Sequence, residues 1–348
     1  MDVSKEPINK EYIKEASEIL KKGGLVAFPT ETVYGLGGDA TDKEASRKIY
    51  QAKGRPSDNP LIVHISRFSQ LEDISKQLPE NAKKLADAFW PGPLTMVVNK
   101  NDVIPYETTG GLDTVAVRMP KNPVALALIE ESGCMIAAPS ANTSGRPSPT
   151  KASHVYEDLS GKIDAILDGG PVDIGLESTI VDLTEDVVTI LRPGYINMDM
   201  LRAVVGEVRI DPGIVYNDKG TTSGAKPKAP GMRYKHYAPK GDLTIVSGEE
   251  DAVIAAINNM TKEALSGGSK VGIIATSETA DRYTDGQILV IGDRMDEASI
   301  AHNLYDILRQ FDELAVDVIY SESFATPKIG QAIMNRLLKA AGQKTIEV

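Results

Sequence analysis

The spacing of apolar positions divides the chain into two stretches with different rhythms. In the first 210 residues, short apolar runs typical of buried strands lie between segments with the periodicity of amphipathic helices. The predicted strands span residues 25–28, 61–65, 94–98, 115–118, 135–138, 165–167, 178–183 and 188–191. The predicted helices span residues 9–22, 42–52, 81–89, 123–131 and 149–159. Because strands and helices do not strictly alternate, this pattern predicts an α+β domain built on a mixed, twisted sheet.

The last third of the chain alternates more regularly. Predicted strands at 243–246, 271–275, 288–291 and 316–320 lie among predicted helices at 249–265, 297–314 and 329–341. This rhythm predicts a smaller, Rossmann-like α/β domain with a parallel sheet. The stretch between the two patterns is rich in Gly, Pro and Lys, as in loops. We therefore expect a domain over 1–210, a linker over 211–240 and a second domain over 241–348.

The charge distribution singles out the linker. The chain of 348 residues has a formal net charge of −11, which argues against a protein that grips nucleic acid over its whole surface. Residues 1–210 hold 23 basic and 30 acidic residues, residues 211–240 hold 6 and 2, and residues 241–348 hold 9 and 17. A basic segment thus lies between two acidic blocks. It is either a solvated linker or a segment that meets a polyanion such as ATP.

The sequence indicates a cytoplasmic protein. Its first residues lack the apolar core of a signal peptide, and no apolar run reaches the ~20 residues that span a bilayer. Cys134 is the single cysteine, which excludes a disulfide framework and a cysteine-based metal cluster.

Two basic side chains follow each other closely at the end of the second predicted helix. Lys53 and Arg55 flank Gly54, which breaks the helix, and Pro56 stiffens the exit. Arginine binds phosphate as a planar fork and lysine binds it as a point charge. Basic residues also suit the negative end of a helix dipole, so a purely structural role stays open.

A second polar stretch runs from Ser140 to Thr150. It holds five hydroxyl side chains, Asn142 and Arg146. Ser148 is expected to cap a helix that starts at Pro149, and helix N-termini bind anions. A capped surface loop would explain Ser148 and Pro149 but not the run from Ser140 to Asn142.

Several familiar motifs are absent from the sequence. It contains no G-x-x-x-x-G-K-[ST] loop, no G-x-G-x-x-G opening a helix, no H-E-x-x-H and no G-x-S-x-G elbow. Covalent catalysis is therefore not indicated, and we expect no protein-bound metal site.

Taken together, the motifs resemble the YrdC-type threonylcarbamoyl-AMP synthases. The resemblance rests on ordered motifs along nearly the whole chain: PTETVYGL at 29–36, KGR at 53–55, WPGPLT at 90–95, SAN at 140–142, SGRPSPT at 144–150, ESTI at 177–180, LRPG at 191–194 and PGMRYKHYAP at 230–239. The last of these is typical of the longer, two-domain branch.

The resemblance implies an activity and its partners. The family makes L-threonylcarbamoyl-AMP and pyrophosphate from L-threonine, bicarbonate and ATP, with Mg²⁺ accompanying the triphosphate. The product serves threonylcarbamoyladenosine formation in tRNAs that read ANN codons, and a separate complex makes the final transfer. The sequence gives no indication that this chain binds tRNA directly.

The resemblance also implies roles for individual residues. The implied catalytic residues are Lys53, Arg55, Ser140 and Asn142. The implied L-threonine site comprises Thr32, His64, Arg118, Ala138 and Ser178. The implied ATP site comprises Arg55, Asn59, Thr114, Ser140, Ser148, Arg192 and His236. From the residues alone, His64 is more readily explained as an ordinary strand residue, and the resemblance reverses that interpretation.

One further hypothesis and two alternatives complete the prediction. The basic segment 211–240 would form a lid over the nucleotide, carried by residues 230–239. One alternative is an RNA-binding module, which the negative charge of residues 1–210 disfavours. The other is a carbamoyl-adenylate-forming enzyme that uses carbamoyl phosphate, like hydrogenase maturation proteins with a related domain. Those proteins carry cysteine-rich zinc regions, for which one cysteine leaves no room.

Overall fold

The chain forms two compact units. The computed structural model describes residues 1–5, 7–214, 229, 236–324 and 328–348. The first unit comprises Met1–Ser144, Ser148–Asp173 and Glu177–Tyr234, and the second comprises Gly145–Pro147, Ile174–Leu176 and Lys235–Val348. Two short segments from the first half of the chain therefore belong to the second unit. The division at residues 210 and 240 stays a prediction, because most of the expected linker lies outside the described residues.

The first unit is built on a ten-stranded sheet within the described ranges. Its strands are β1 Val26–Phe28, β2 Gly35–Asp39, β3 Ile62–His64, β4 Leu94–Asn99, β5 Thr114–Arg118, β6 Ile136–Ala137, β7 Ala165–Ile166, β8 Thr179–Asp182, β9 Val188–Arg192 and β10 Val208–Ile210. They lie in the order β10-β9-β8-β4-β5-β3-β6-β2-β1-β7. Because β3 and β5 are parallel while β4 and β5 are antiparallel, the predicted mixed sheet is confirmed.

Helices cover this sheet, and their ends follow from local chemistry. They are α1 Lys10–Lys21, α2 Lys43–Lys53, α3 Ser69–Ile74, α4 Glu80–Phe89, α5 Tyr106–Thr109, α6 Pro123–Ser132, α7 Ala152–Leu159 and α8 Met198–Val205. The Asp42 carboxylate accepts from the Glu44 amide and caps α2. Gly54 ends α2 in the left-handed conformation with φ of 62°, which favours glycine. The turn between Lys53 and Arg55 is therefore fixed by sequence.

The second unit is a parallel α/β structure. Its strands are β11 Asp242–Ser247, β12 Val271–Thr276, β13 Gln287–Gly292, β14 Val318–Glu322 and β15 Thr345–Glu347, and its helices are α9 Glu250–Ser266, α10 Glu297–Glu313 and α11 Gly330–Ala340. The sheet order is β13-β12-β14-β11-β15, and all neighbouring strands run parallel. The predicted parallel α/β domain is confirmed. Within the described ranges, no helix combines the length and apolar character needed to cross a membrane.

Some predicted elements were wrong in place or missing. The helix expected over 149–159 begins at Ala152, so Ser148 is not its cap and Pro149 is not its first residue. The carbonyls of Pro149 and Thr150 accept instead from the amides of Tyr34 and Val172, at 2.9 and 3.0 Å. The strand expected over 316–320 lies at Val318–Glu322. The sequence analysis missed β2, β10, β15, α3, α5 and α8, which are short or rich in glycine.

Candidate active site

Polar side chains lie next to one another where the central strands of the first unit end. His64 and Arg118 are paired residues of β3 and β5, and Thr95 of β4 pairs with Arg118 on its other side. The hydroxyl oxygen of Thr95 lies 2.7 Å from that of Ser178, which directly precedes β8. Strand register therefore brings together three residues of the implied threonine site, His64, Arg118 and Ser178.

Arg118 is buried and holds the centre of this cluster. Its Nη1 donates to Thr32 Oγ1 at 2.8 Å, and its Nη2 lies 2.7 Å from Glu31 Oε1. Its Nε donates to the Gly92 carbonyl at 3.3 Å, and the second carboxylate oxygen of Glu31 accepts from the Lys121 amide at 3.1 Å. The guanidinium is thereby fixed in direction, and Thr32 is brought beside it.

His64 is an uncharged member of the same cluster. Burial, reinforced by the positive charge of Arg118, lowers the pKa of His64 to about 3. Its Nδ1 lies 3.1 Å from the Ile62 carbonyl. The imidazole is therefore neutral at physiological pH and acts there as a polar group rather than a cation.

Lys53 joins the two motifs that the sequence singled out. It is the last residue of α2 and is 2% exposed. Its ammonium donates to the carbonyl of Ser140 at 2.5 Å and to that of Asn142. The Ser144 amide returns a bond to the Lys53 carbonyl at 2.9 Å, and Ser140 Oγ donates to Asn142 Oδ1 at 2.6 Å. These bonds hold the buried ammonium of Lys53 against the polar loop that follows β6.

Arg55 shapes the loop after α2. Its Nε donates to the Asn59 carbonyl at 3.2 Å and its Nη2 to the Pro60 carbonyl at 3.1 Å. Within the described residues, Asn59 Oδ1 is buried and has no hydrogen-bond partner. An unsatisfied buried acceptor costs roughly 1–3 kcal/mol, which a donor on a bound ligand would offset. This atom marks Asn59 as a candidate ligand contact.

Ser148 and Arg192 lie around Ser178. Ser148 Oγ donates to Glu177 Oε1 at 2.6 Å, and both side chains are buried. Arg192 Nε donates to the Ser178 carbonyl at 3.0 Å, and its Nη2 donates to Ser178 Oγ at 3.1 Å. These bonds therefore connect Ser178 of the implied threonine site with Arg192 of the implied ATP site.

Three implied residues stand apart from these contacts. The Ala138 amide donates to the Ile62 carbonyl at 2.8 Å, so Ala138 contributes backbone beside β3. Thr114 begins β5 and Arg118 ends it, which separates them by about 13 Å at ~3.3 Å per residue. His236 belongs to the second unit. The roles implied for these three residues stay predictions.

The sheet face next to the cluster is apolar and carries one residue from the linker region. Four side chains two residues along their strands from the polar cluster, Ile62, Val97, Ala116 and Ile180, form an apolar group with Leu191 and Ala229. Because side chains alternate between faces with a period of two, this group lies on the same face as the polar cluster. Ala229 is completely buried there. The expected lid over 230–239 lies outside the described residues up to position 235.

The sequence analysis did not assign three side chains of this site. Glu31, Thr95 and Glu177 all lie within the motifs that carry the family resemblance. Each is buried and is ion-paired or hydrogen-bonded to an implied site residue. Their partners lie 87, 83 and 29 positions away, at Arg118, Ser178 and Ser148. No local pattern could have indicated these pairs, although a charged residue between two threonines was an available signal for Glu31.

Both halves of the chain match models of known protein families. Residues 18–194 match the Sua5_yciO_yrdC family model, described as "Telomere recombination". Residues 196–342 match the model described as the C-terminal domain of threonylcarbamoyl-AMP synthase. The two matches together extend over the motifs of the site and over the parallel α/β unit.

Full-length relatives agree with these matches. The chain is 48% identical to a threonylcarbamoyl-AMP synthase of Pyrococcus abyssi, over 99% of this chain and 98% of the relative. It is 49% identical to the Bacillus subtilis protein of that name, over 97% of this chain and 95% of the relative. The crystal structure of P. abyssi Sua5 with L-threonine aligns with a TM-score of 0.93 at 47% identity, over 100% of this chain and 99% of that one. The chain therefore belongs to the Sua5/YrdC family of threonylcarbamoyl-AMP synthases, in its two-domain form.

Proposed function

We propose that this chain synthesises L-threonylcarbamoyl-AMP from L-threonine, bicarbonate and ATP, with release of pyrophosphate. The observation that carries the proposal is the buried Lys53 ammonium. It donates to carbonyls of the loop from Ser140 to Asn142, at the edge of the sheet that holds His64 and Arg118. A relative at 47% identity is described as complexed with L-threonine, which gives that cluster a candidate ligand.

The chemistry needs no protein nucleophile. The amine of L-threonine and carbon dioxide derived from bicarbonate form a carbamate and release a proton. A carbamate oxygen then attacks the α-phosphorus of ATP, a new P–O bond forms, and the bond to the β-phosphate breaks so that pyrophosphate leaves. Positioning and electrostatic stabilisation supply most of the rate in phosphoryl transfer. Buried cations with fixed directions are suited to that task.

Threonine would bind at the ends of β3, β5 and β8. Arg118 would face the carboxylate of the amino acid, while Thr32, His64 and Ser178 would contact its polar groups and the Ala138 backbone would border it. The Glu31 carboxylate beside Arg118 keeps this cation paired when the site is empty, so burying the guanidinium does not leave an uncompensated charge. The neutral His64 adds no second positive charge.

ATP would bind on the side of Lys53, Arg55 and Arg192. Lys53 and Arg55 would face the phosphate and carbamate oxygens, with Ser140 and Asn142 beside the same centre. Asn59, Ser148, Thr114 and His236 would contact the rest of the nucleotide. Mg²⁺ would enter as part of the substrate MgATP, held mainly by phosphate oxygens and water, as is usual in nucleotide sites. Within the described ranges, no three His, Cys, Asp or Glu side chains gather to hold a metal themselves.

The basic linker would close over the bound nucleotide. Support comes from Ala229, which is buried against the same sheet face as the polar cluster. A chain segment anchored there runs directly into residues 230–239, which carry Arg233 and Lys235, two of the linker's six basic side chains. A third, Lys240, follows directly. Excluding water from the site would strengthen each electrostatic contact in it.

The product would serve tRNA modification. We propose that it passes to the separate complex that transfers the threonylcarbamoyl group to tRNAs reading ANN codons, and that this happens in the cytoplasm. Threonylcarbamoyl-AMP is a reactive mixed anhydride of a carbamic acid and a phosphate. Its consumer must therefore be an enzyme that transfers the acyl group to a nucleophilic amine.

The direct test is pyrophosphate release with MgATP and bicarbonate, in the presence and absence of L-threonine. Threonine-dependent release, with threonylcarbamoyl-AMP identified by mass spectrometry, is the expected result. L-Serine and L-valine are matched controls, because the first lacks the methyl group of threonine and the second lacks its hydroxyl. Pyrophosphate release that is independent of threonine would contradict the proposal.

A further inference from the structure

One face of α10 in the second unit contacts three separate segments of that unit. Residues 301, 305, 309 and 312 follow the spacing that aligns side chains on one helix face. Backbone atoms of Ala301 and His302 lie so close to Gly175 that a Cβ there would come within 2.7 Å of them. The rings of Tyr305 and Tyr237 stack with centroids 5.1 Å apart. The face therefore binds both Ile174–Leu176 and the end of the linker.

The third segment, Gly145–Pro147, is bound by the two charged residues of this face. Arg309 is 1% exposed, and its Nη2 donates to the Pro147 carbonyl at 2.6 Å. Asp312 is also buried, and its Oδ2 lies 3.3 Å from Arg146 Nη2. The other carboxylate oxygen accepts from the Lys240 amide at 2.6 Å. One carboxylate thus holds a loop segment and the end of the linker together.

A backbone bond reinforces this arrangement. The Ala238 amide donates to the Gly145 carbonyl at 2.9 Å, and Gly145 has a φ of 92°, a conformation that favours glycine. The segment Gly145–Pro147 is therefore held on both of its backbone ends and through Arg146. Its conformation is set by residues that lie nearly a hundred positions or more further along the chain.

The held segments continue directly into the candidate active site. Gly145 follows Ser144, whose amide binds the Lys53 carbonyl, and Pro147 precedes Ser148. Leu176 precedes Glu177, and the Ser148 hydroxyl donates to the Glu177 carboxylate at 2.6 Å. Each held segment is therefore joined by one peptide bond to a residue of the candidate site, Ser148 or Glu177. A displacement of the segment would displace that residue.

We propose that Asp312 is a positioning residue for the nucleotide site. It acts through Arg146 and the Lys240 amide, and it sets the path of the loop from Asn142 to Ser148. The second unit would thereby fix the loop that contacts ATP. This inference rests on the function proposed above. His64 and Arg118 of the threonine site take their positions from the pairing of β3 with β5 rather than from this loop.

The test compares Asp312→Asn with Arg146→Gln in the full-length chain. Asparagine keeps an acceptor for the Lys240 amide but loses the charge that faces Arg146. We expect kcat/KM for ATP to fall roughly 10- to 100-fold, because small displacements of a positioned group have effects of that size. KM for L-threonine should change less than twofold. The double variant should be no worse than Asp312→Asn alone, because both changes break the same contact.

Controls separate positioning from stability. Glu313→Gln lies next to Asp312 on the exposed side of α10 and should behave as wild type. Hydrogen exchange at the amides of Gly145, Arg146 and Ser148 should speed up in Asp312→Asn without any ligand. An unchanged exchange rate, additive effects in the double variant, or a lowered Tm with unchanged KM for ATP would overturn the inference. If the wild type itself shows no threonine-dependent pyrophosphate release, the proposed function fails, while the exchange result still reports on the Asp312 contact.

Discussion

Each unit holds an ion pair through a buried glutamate, but the two pairs connect very different parts of the chain. In the first unit, Glu31 pairs with Arg118, which also binds Thr32 and borders His64. In the second unit, Glu322 pairs with Arg294 and accepts from Tyr283 at 2.9 Å and from Thr279. The second set joins residues of one small parallel sheet and its loops. The first set joins the motif at 29–36 to the ends of β3 and β5 in the larger sheet.

This contrast shows that a buried charge does not by itself mark an active site. Buried ionic groups have to be paired wherever they occur, because desolvation is costly. In the first unit, the Lys53 ammonium donates to the carbonyls of Ser140 and Asn142, and Asn59 Oδ1 is buried without a hydrogen-bond partner among the described residues. A donor on a bound ligand would satisfy that oxygen. The comparison can be tested by removing charges from each unit.

The largest effect is expected for Lys53→Met. Methionine keeps the length of the buried side chain but removes its charge and its donors to Ser140 and Asn142. We expect kcat to fall by roughly 10²–10³, as for loss of a donor that stabilises transition-state charge. The measurement is pyrophosphate release at saturating ATP and threonine. Lys48→Met, on the exposed side of the same helix, is the control, and a Lys53→Met enzyme with near-normal kcat would break the comparison.

A smaller effect is expected for Glu31→Gln, with Glu322→Gln as its counterpart in the second unit. Glu31→Gln leaves the buried Arg118 without its carboxylate, and breaking a buried pair costs about 3–5 kcal/mol. Glutamine keeps one acceptor, so we expect the lower end of that range in urea unfolding. Glu322→Gln should cost less, because the Arg294 side chain is 31% exposed. Only Glu31→Gln should also change KM for L-threonine. If Glu322→Gln changed that KM equally, the distinction between the two pairs would be wrong.

The smallest effect concerns the pH dependence of stability. The pKa of His64 is lowered to about 3 in the folded protein, whereas an unfolded histidine titrates near its ordinary value of 6.5. Between these values the unfolded chain binds one more proton, so the free energy of unfolding falls as the pH is lowered. The slope from this group approaches about 1.4 kcal/mol per pH unit and disappears above the ordinary value.

His64→Gln isolates this contribution. Urea unfolding between pH 7.5 and 4.5 should show a flatter dependence in the variant than in the wild type. The difference arises because glutamine does not titrate. Identical slopes for the two proteins would mean that His64 is accessible to protons in the folded state.

The accuracy of the sequence predictions followed the length and regularity of each element. Long amphipathic segments such as α9 and α10 were predicted within two residues at each end, because a 3.6-residue period over several turns is a strong signal. The three-residue strand β10 and the glycine-rich β2 have no such signal and were missed. The start of α7 was wrong because Tyr34 and Val172 bind the carbonyls that the predicted helix would have used.

The sequence by itself determined which segments are candidates for the chemistry, because residue type fixes what a side chain can bind. It placed Lys53 and Arg55 on a rigid turn, since Gly54 adopts the left-handed conformation there. It gave no indication of covalent catalysis, and its single cysteine leaves no room for a cysteine-based metal cluster. These conclusions depend only on local geometry and on the chemistry of individual residues.

Only the tertiary structure decided how those segments are joined. It placed Lys53 on the carbonyls of Ser140 and Asn142, set Glu31 against Arg118, and attached Gly145–Pro147 to α10. Each of these contacts spans more than 80 positions, and local propensity carries no information at that range. They are selected because a buried charge is stable only beside a partner, and the partner's position follows from sheet register and helix packing.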